Sequence, residues 1–331
     1  MKKNLHLTGL VVSAVPLLGF GLAGLLCAPL AVKADIASSR GGLDTRVNGR
    51  SGGRCVSGSC VIDGGTRAGS NRFFRLSEFD SRGAIRDVKI DTGGQRNVVL
   101  GVTAVSGSYL DKAVKLSQPS HLFWLSPGGL HLSGGARFVN ASRLTLSTST
   151  SLAFAEGAFN VFSSDGETVR SLLGDPLNGA TGLVDSAEQR SQLGLNPNPQ
   201  ILLDGIHIQV EQELLADAGT GDLRLRDSVL TARDADGLAG DLTLTGRTVV
   251  LEGQSVLDVS SPAGGGGIQV GGSWQNHDSN VRQAQSTHVA SSVRLDASAT
   301  ERGNGGEIVV WSDLQYPSGL SLIHISEPTR R

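Results

Sequence analysis

Few residues in this 331-residue chain are of types and spacings that could do chemistry. Cys55 and Cys60 flank Val-Ser-Gly-Ser, and the third cysteine, Cys27, lies in the apolar N-terminal stretch. A redox-active pair has two intervening residues rather than four. A zinc site needs more ligands, and no histidine follows within about thirty residues, too far for a compact ligand set. An even pair in an exported chain predicts a structural disulfide. Closing so short a loop contributes about 2 kcal/mol.

Asp222, Asp227, Asp234, Asp236 and Asp241 are numerous enough to suggest the paired carboxylates of a polysaccharide-cleaving enzyme. They are expected at the corners of the fold, where turn chemistry accounts for them. His121, His131, His207, His277 and His288 show no metal-ligand spacing. Gly264–Gly267 is not followed by Lys-Ser/Thr, so it is no phosphate loop. Ser57–Ser59 lacks the strand-turn-helix setting of a nucleophile elbow. The chain is expected to be no enzyme and to hold no cofactor or metal.

Composition bounds the elements that carry these residues. Glycine is 45 of 331, without a triplet period, which removes collagen. Charged residues make up 18% and aromatics 4%, while Val, Thr, Leu, Ser and Gly dominate, as in short strands joined by tight turns. Net charge is −2, and from Asp35 onward 26 basic residues face 31 acidic ones. That balance argues against nucleic acid as a partner.

Lys2 and Lys3 precede an apolar run from Leu7 to Leu30, and Val32-Lys33-Ala34 offers short residues before a cleavage point. Residues 1–34 are therefore expected to be a signal peptide, which implies export through the periplasm. Leu320–Arg330 reads as the in-frame translation of a transposase sequencing adapter. Residues 320–331 are set aside as an artefact on that ground, and the natural chain is expected to continue.

Residues 35–59 are glycine- and arginine-rich and expected to be mostly loop. Strand-like runs follow at Cys60–Asp63, Arg72–Phe79, Ile85–Ile90, Val98–Val102, Leu122–Leu125, Leu130–Leu132, Phe138–Val139 and Leu144–Ser147. Residues 163–215 break the pattern, with a helix-like stretch over Ser186–Leu193. An excursion over 163–199, projecting from the main body, is expected there. Strands return in 216–319. Gly221-Asp-Leu-Arg-Leu225 recurs nineteen residues later as Gly240-Asp-Leu-Thr-Leu244, with echoes at Gly267 and Gly306. Second runs begin at Ser228, Ser255 and Ser292. A period near twenty is the mark of a β-solenoid. The predicted inward ladders place Leu223 over Leu242, Leu225 over Leu244, and Leu230 near Leu257 and Leu295. Eight of the nine Phe lie between residues 73 and 162, which points to this aromatic region as the cap of the open end.

Two segments stand out in residues 60–162. The first is Asn71-Arg-Phe73-Phe74-Arg-Leu-Ser-Glu-Phe79. The second is Phe123-Trp-Leu-Ser126-Pro127-Gly128-Gly129-Leu130. Together with the strands they resemble the secretion domain of the filamentous haemagglutinin family, over about Cys60–Asp313. Asn71 and Phe73 match the family's usual Asn-Leu-Phe-His-Ser-Phe opening. Pro127 and the last glycine match its Asn-Pro-Asn-Gly turn. Val309-Val-Trp-Ser-Asp313 is similar to a further segment frequent in members.

The resemblance implies an all-β, right-handed parallel β-helix with an N-terminal cap. It implies the N-terminal fragment of a large secreted adhesin, recognised by an outer-membrane barrel transporter with POTRA domains. Asn71, Phe73, Phe74, Phe79, Ser126, Pro127, Gly128 and Gly129 are the candidate recognition residues. The adhesin's target would be a host or neighbouring-cell surface or glycan. The alternatives are a secreted β-helix carbohydrate-active enzyme and the export head of a contact-dependent toxin. Arg67, Arg72, Arg75, Arg82 and Arg86 are expected on a solvated face.

Overall fold

Apolar residues at alternate positions place one row of side chains inward along every strand. In the computed structural model, which describes residues 34–40, 43–234 and 236–313, these rows stack into a parallel β-solenoid of about eight turns. Each turn carries three faces. Face A opens with Gly58–Gly64, Ile85–Ile90 and the first halves of two long strands, Ala113–Leu125 and Arg137–Ser147. It continues through His207–Val210, Val229–Ala232, Val256–Asp258 and Arg294–Asp296. Face B runs from Asn71–Asp80 through Asn97–Val102 and the second halves of the two long strands. Glu213–Asp217, Asp241–Thr245, Gly267–Val270 and Glu307–Val310 complete it. Face C takes the end of Asn71–Asp80, then Ser108–Leu110, Leu130–Ser133, Gln200–Asp204, Asp222–Arg226, Thr248–Glu252 and Ser286–Val289.

The register gives continuous ladders. On face B, Phe74, Leu100, Trp124, Leu146, Ala216, Leu244, Val270 and Val310 stack rung on rung, and all are buried in one interior. On face C, Leu110, Leu132, Leu203, Leu225 and Leu251 do the same, and the half-buried Val289 packs on the last of them. Each buried CH₂ contributes about 0.8 kcal/mol to such a stack.

These ladders correct the repeat read from the sequence. Leu223 lies over Val249, not Leu242, and Leu225 over Leu251, not Leu244. The nineteen-residue step from Gly221 to Gly240 leads from face C to the following face B, so those two motifs never stack. The true coil is longer. Successive face-B rungs such as Leu100, Trp124 and Leu146, or Leu244 and Val270, are 22 to 26 residues apart. The Gly240, Gly267 and Gly306 motifs do stack, and so do Leu230, Leu257 and Leu295.

The cap also differs from expectation. Residues 35–59 are not mostly loop. Asp35–Ser38, Thr45–Val47, Arg50–Ser51 and Arg54–Cys55 are short strands, and they pair antiparallel. Asp35–Ser38 runs antiparallel to Asn71–Asp80, with Ile36 opposite Phe79. Thr45–Val47 runs antiparallel to Gly58–Gly64. Antiparallel pairing satisfies the exposed edge of the first coil, and Ile36 and Val47 close the end of the interior. Cys55 and Cys60 are joined, with Cα atoms 5.8 Å apart, as the pair of cysteines predicted. The bond ties a cap strand to the first coil.

The excursion begins earlier than expected, directly after Arg137–Ser147, and ends where Gln200–Asp204 starts. It holds the hairpin Ser151–Phe154 and Gly157–Asn160, with Leu183–Val184 added antiparallel. It also holds the helix Gly166–Arg170 and the expected helix, Ala187–Gln192, capped by Ser186. It does not project. It folds back onto face B and closes a second hydrophobic cluster outside the solenoid. Phe73, Val99, Phe123, Leu125 and Leu215 come from face B, and Leu152, Phe154, Phe159, Val161, Val169, Leu172 and Leu183 from the excursion. The signal-like N-terminus and the adapter-like tail lie outside the described residues.

Candidate functional site

The first motif segment lies in coil one and the second in coil three, with the coil-two strands Asn97–Val102 and Ser108–Leu110 between them. Alternation along Asn71–Asp80 sends Phe74 and Leu76 into the solenoid and Phe73 outward into the second cluster. Phe73 packs 5.7 Å from Phe154 and 5.5 Å from Phe159, ring centre to ring centre. Phe79 turns into the solenoid and meets Trp124 edge-on at 4.5 Å, and Trp124 meets Phe138 at 6.3 Å. Edge-to-face contacts of this kind contribute about 0.5–1.5 kcal/mol beyond area.

Asn71 is fully buried. Its amide donates to the carbonyls of Leu172 (2.8 Å) and Gly174 (2.7 Å) in the excursion. Its Oδ1 accepts from Asn97 one coil on, at 2.9 Å. Asn97 also donates to Asp175 at 2.9 Å, and Arg96 pairs with the same carboxylate. Those donors hold the Asp175 carboxyl below the usual range, chiefly through Arg96.

The second segment ends in a closed turn. Gly129 N–H donates to the Ser126 carbonyl at 2.9 Å, as Ser-Pro-Gly-Gly predicts. Ser126 Oγ donates to the Gly129 carbonyl at 2.7 Å and accepts from Ser108, whose Oγ in turn accepts from the Trp124 indole. A Cβ at Gly128 would strike the Ala104 carbonyl of the stacked turn below, so this position requires glycine. The Pro127 carbonyl accepts from Arg190 of the excursion at 2.8 Å. Arg190 is buried, pairs with Asp185 at 2.8 Å, and also donates to the carbonyls of Thr148 and Asn196.

Of the eight candidate recognition residues, Asn71, Phe73, Phe74, Phe79, Ser126, Pro127 and Gly129 are buried and Gly128 is half-buried. The folded protein therefore offers none of their side chains as a surface. The arginines need a correction too. Arg67 and Arg86 are exposed, but Arg72 is buried, donates to the Gly64 carbonyl and lies 3.3 Å from Asp91. Arg75 is half-buried and donates to the carbonyls of Asn160 and Ser164. Burial lowers the pKa of both guanidinium groups.

Four of the five corner aspartates perform turn and pairing work. Asp222 pairs with Arg247, Asp227 accepts from the Gln254 amide, Asp234 from Leu238 and Asp241 from Gly267. Asp222 lies on face C and Asp241 on face B, which separates them by a face. His121 stacks on Phe123 at 3.7 Å and bonds Thr145, and burial beside Arg143 pushes its pKa down to about 3. Among the described residues no group of three or more His, Cys, Asp or Glu is placed to hold a metal.

Sequence reading missed Asn97, Asp175 and Arg190. Asn71 and Asn97 stand one coil apart, so a correct coil length would have found that pair. Nothing local marks Asp175 or Arg190.

No family model matches the chain, and no curated protein sequence matches it. Among solved structures, the HMW1 secretion domain from Haemophilus influenzae is similar at 15% identity, covering 85% of this chain and 87% of that one, with a TM-score of 0.35. A likeness of that degree identifies neither family nor activity.

Proposed function

We propose that the chain is the N-terminal export region of a secreted, surface-associated adhesin of the two-partner type. In this reading an outer-membrane barrel with POTRA domains recognises residues 71–79 and 126–129. The chain crosses the periplasm unfolded, closes its coils outside, and presents more distal parts to a host or neighbouring-cell surface or glycan. The observation that carries the reading is the burial of both segments, with Phe79 against Trp124 and Asn71 beneath the excursion. A transporter can read such residues only before the solenoid closes. Recognition and folding then exclude each other, and coil closure outside the cell opposes return.

The test is export of residues 1–319, fused to a reporter, with a POTRA-bearing barrel transporter as partner. Asn71→Ala with Pro127→Ala is expected to abolish release, because it alters the segments read. Arg190→Ala weakens the folded state without altering a side chain in either segment, and is expected to be released. Equal loss in both variants, or release of the first, would overturn the reading.

A further inference from the structure

Solenoid coils touch only their neighbours, so an unbraced stack unfolds piecewise from its ends. Here one segment reaches across most of the stack. Its helix Gly166–Arg170 contacts the strand Thr66–Ala68 between the first two faces of coil one. Residues 172–175 hold Asn71 of coil one and Arg96 and Asn97 of coil two. Phe154, Phe159 and Leu183 bury Phe123 of coil three and Leu215 of coil five. Arg190 holds the coil-three turn at Pro127 and the end of the coil-four face-B strand at Thr148.

The far end is fastened as well. Residues 271–285, inserted in coil seven, come back to the same segment. The Asn280 carbonyl accepts from Ala180 N–H at 2.6 Å, and Asn280 Oδ1 accepts from Thr181 at 3.1 Å. Arg282 pairs with the buried Asp217 of coil five at 3.0 Å and donates to the Leu183 carbonyl.

We propose that residues 148–199, with the 271–285 loop, form a strap that makes coils one to seven unfold as one cooperative unit. The strap's contacts join residues about 100 positions apart, such as Asn71 with Leu172 and Thr181 with Asn280. It can lock only after coils one to four exist, and it is completed by coil seven. The proposal concerns the folded domain and does not depend on how the chain is exported.

The two ends can be read separately in one unaltered chain. Pulsed hydrogen exchange along a denaturant series would follow the end of Ala113–Leu125 in coil three and Gly267–Val270 in coil seven. The two midpoints are expected to coincide. Adding Arg282→Gln should free the far end, so that the coil-seven midpoint falls below the coil-three midpoint. Asp175→Ala should instead lower the coil-three midpoint first. Separate midpoints in the parent, or coincident midpoints in both variants, would overturn the proposal. Arg282 is half-buried, and the glutamine keeps a donor beside the buried Asp217, so the test does not hang on a variant that fails to fold.

Discussion

The inside of the solenoid and the outer cluster beneath the strap are both apolar, yet they are built by different rules. Inside, an apolar residue of varying size recurs at one position of every coil, as in the Phe74 to Val310 ladder. Each rung needs only the rung before it. Outside, Phe73, Val99 and Phe123 also stack on consecutive coils, but Thr145 follows them, and their other contacts come from Phe154, Phe159 and Leu172. A ladder propagates along the stack, whereas the outer cluster braces it sideways. The braced face ends where Thr243 and Gln269 replace the outward apolar residues.

The contrast can be broken at several strengths. Trp124→Ala should cost most, about 4–5 kcal/mol, because it empties a ladder rung between Leu100 and Leu146 and frees Ser108. Urea unfolding measures it. Arg190→Ala should cost about 3–4 kcal/mol, since it leaves Asp185 buried without its partner. Hydrogen exchange should then rise in the strap before it rises in the ladders. Phe73→Ala should cost about 3 kcal/mol, less than Trp124→Ala, because the strap can settle into the gap. A larger loss at Phe73 than at Trp124 would reverse the comparison. Replacing both cysteines with serine should cost about 2 kcal/mol, felt at the cap rather than beneath the strap.

The last effect is a slope with pH, which is absent at neutral pH. His121 in the outer layer has its pKa lowered to about 3, mainly by burial. Unfolding restores the usual value near 6.5, so below that pH the unfolded chain takes up a proton that the folded chain refuses. Stability is full above pH 6.5 and falls toward pH 3, by at most about 1.4 kcal/mol per pH unit. His121→Gln should flatten that slope in denaturation curves taken from pH 7 to pH 4. An unchanged slope would place the titrating group elsewhere.

Period-two alternation, short apolar runs and glycine corners were enough to place Ile85–Ile90, Val98–Val102 and Leu130–Leu132 on strands, and those strands are present. The short spacing of Cys55 and Cys60 was enough for the disulfide. The helix over Ala187–Gln192 followed from its own residues and Ser186. These features are local, because turn preference, strand alternation and a six-residue loop are decided by neighbours along the chain.

The tertiary structure alone decided the rest. A coil closes after 22 to 28 residues only when three faces fit around one interior, and the motif at Gly221 carries no label for its face. The cap depends on which edge is left unpaired, so Asp35–Cys55 resembles loop until coil one stands beside it. Phe73 and Phe74 are identical in type and adjacent in sequence. The pleat sends one to the ladder and the other outward, and only the returning strap, some eighty to a hundred residues later, makes the second site apolar.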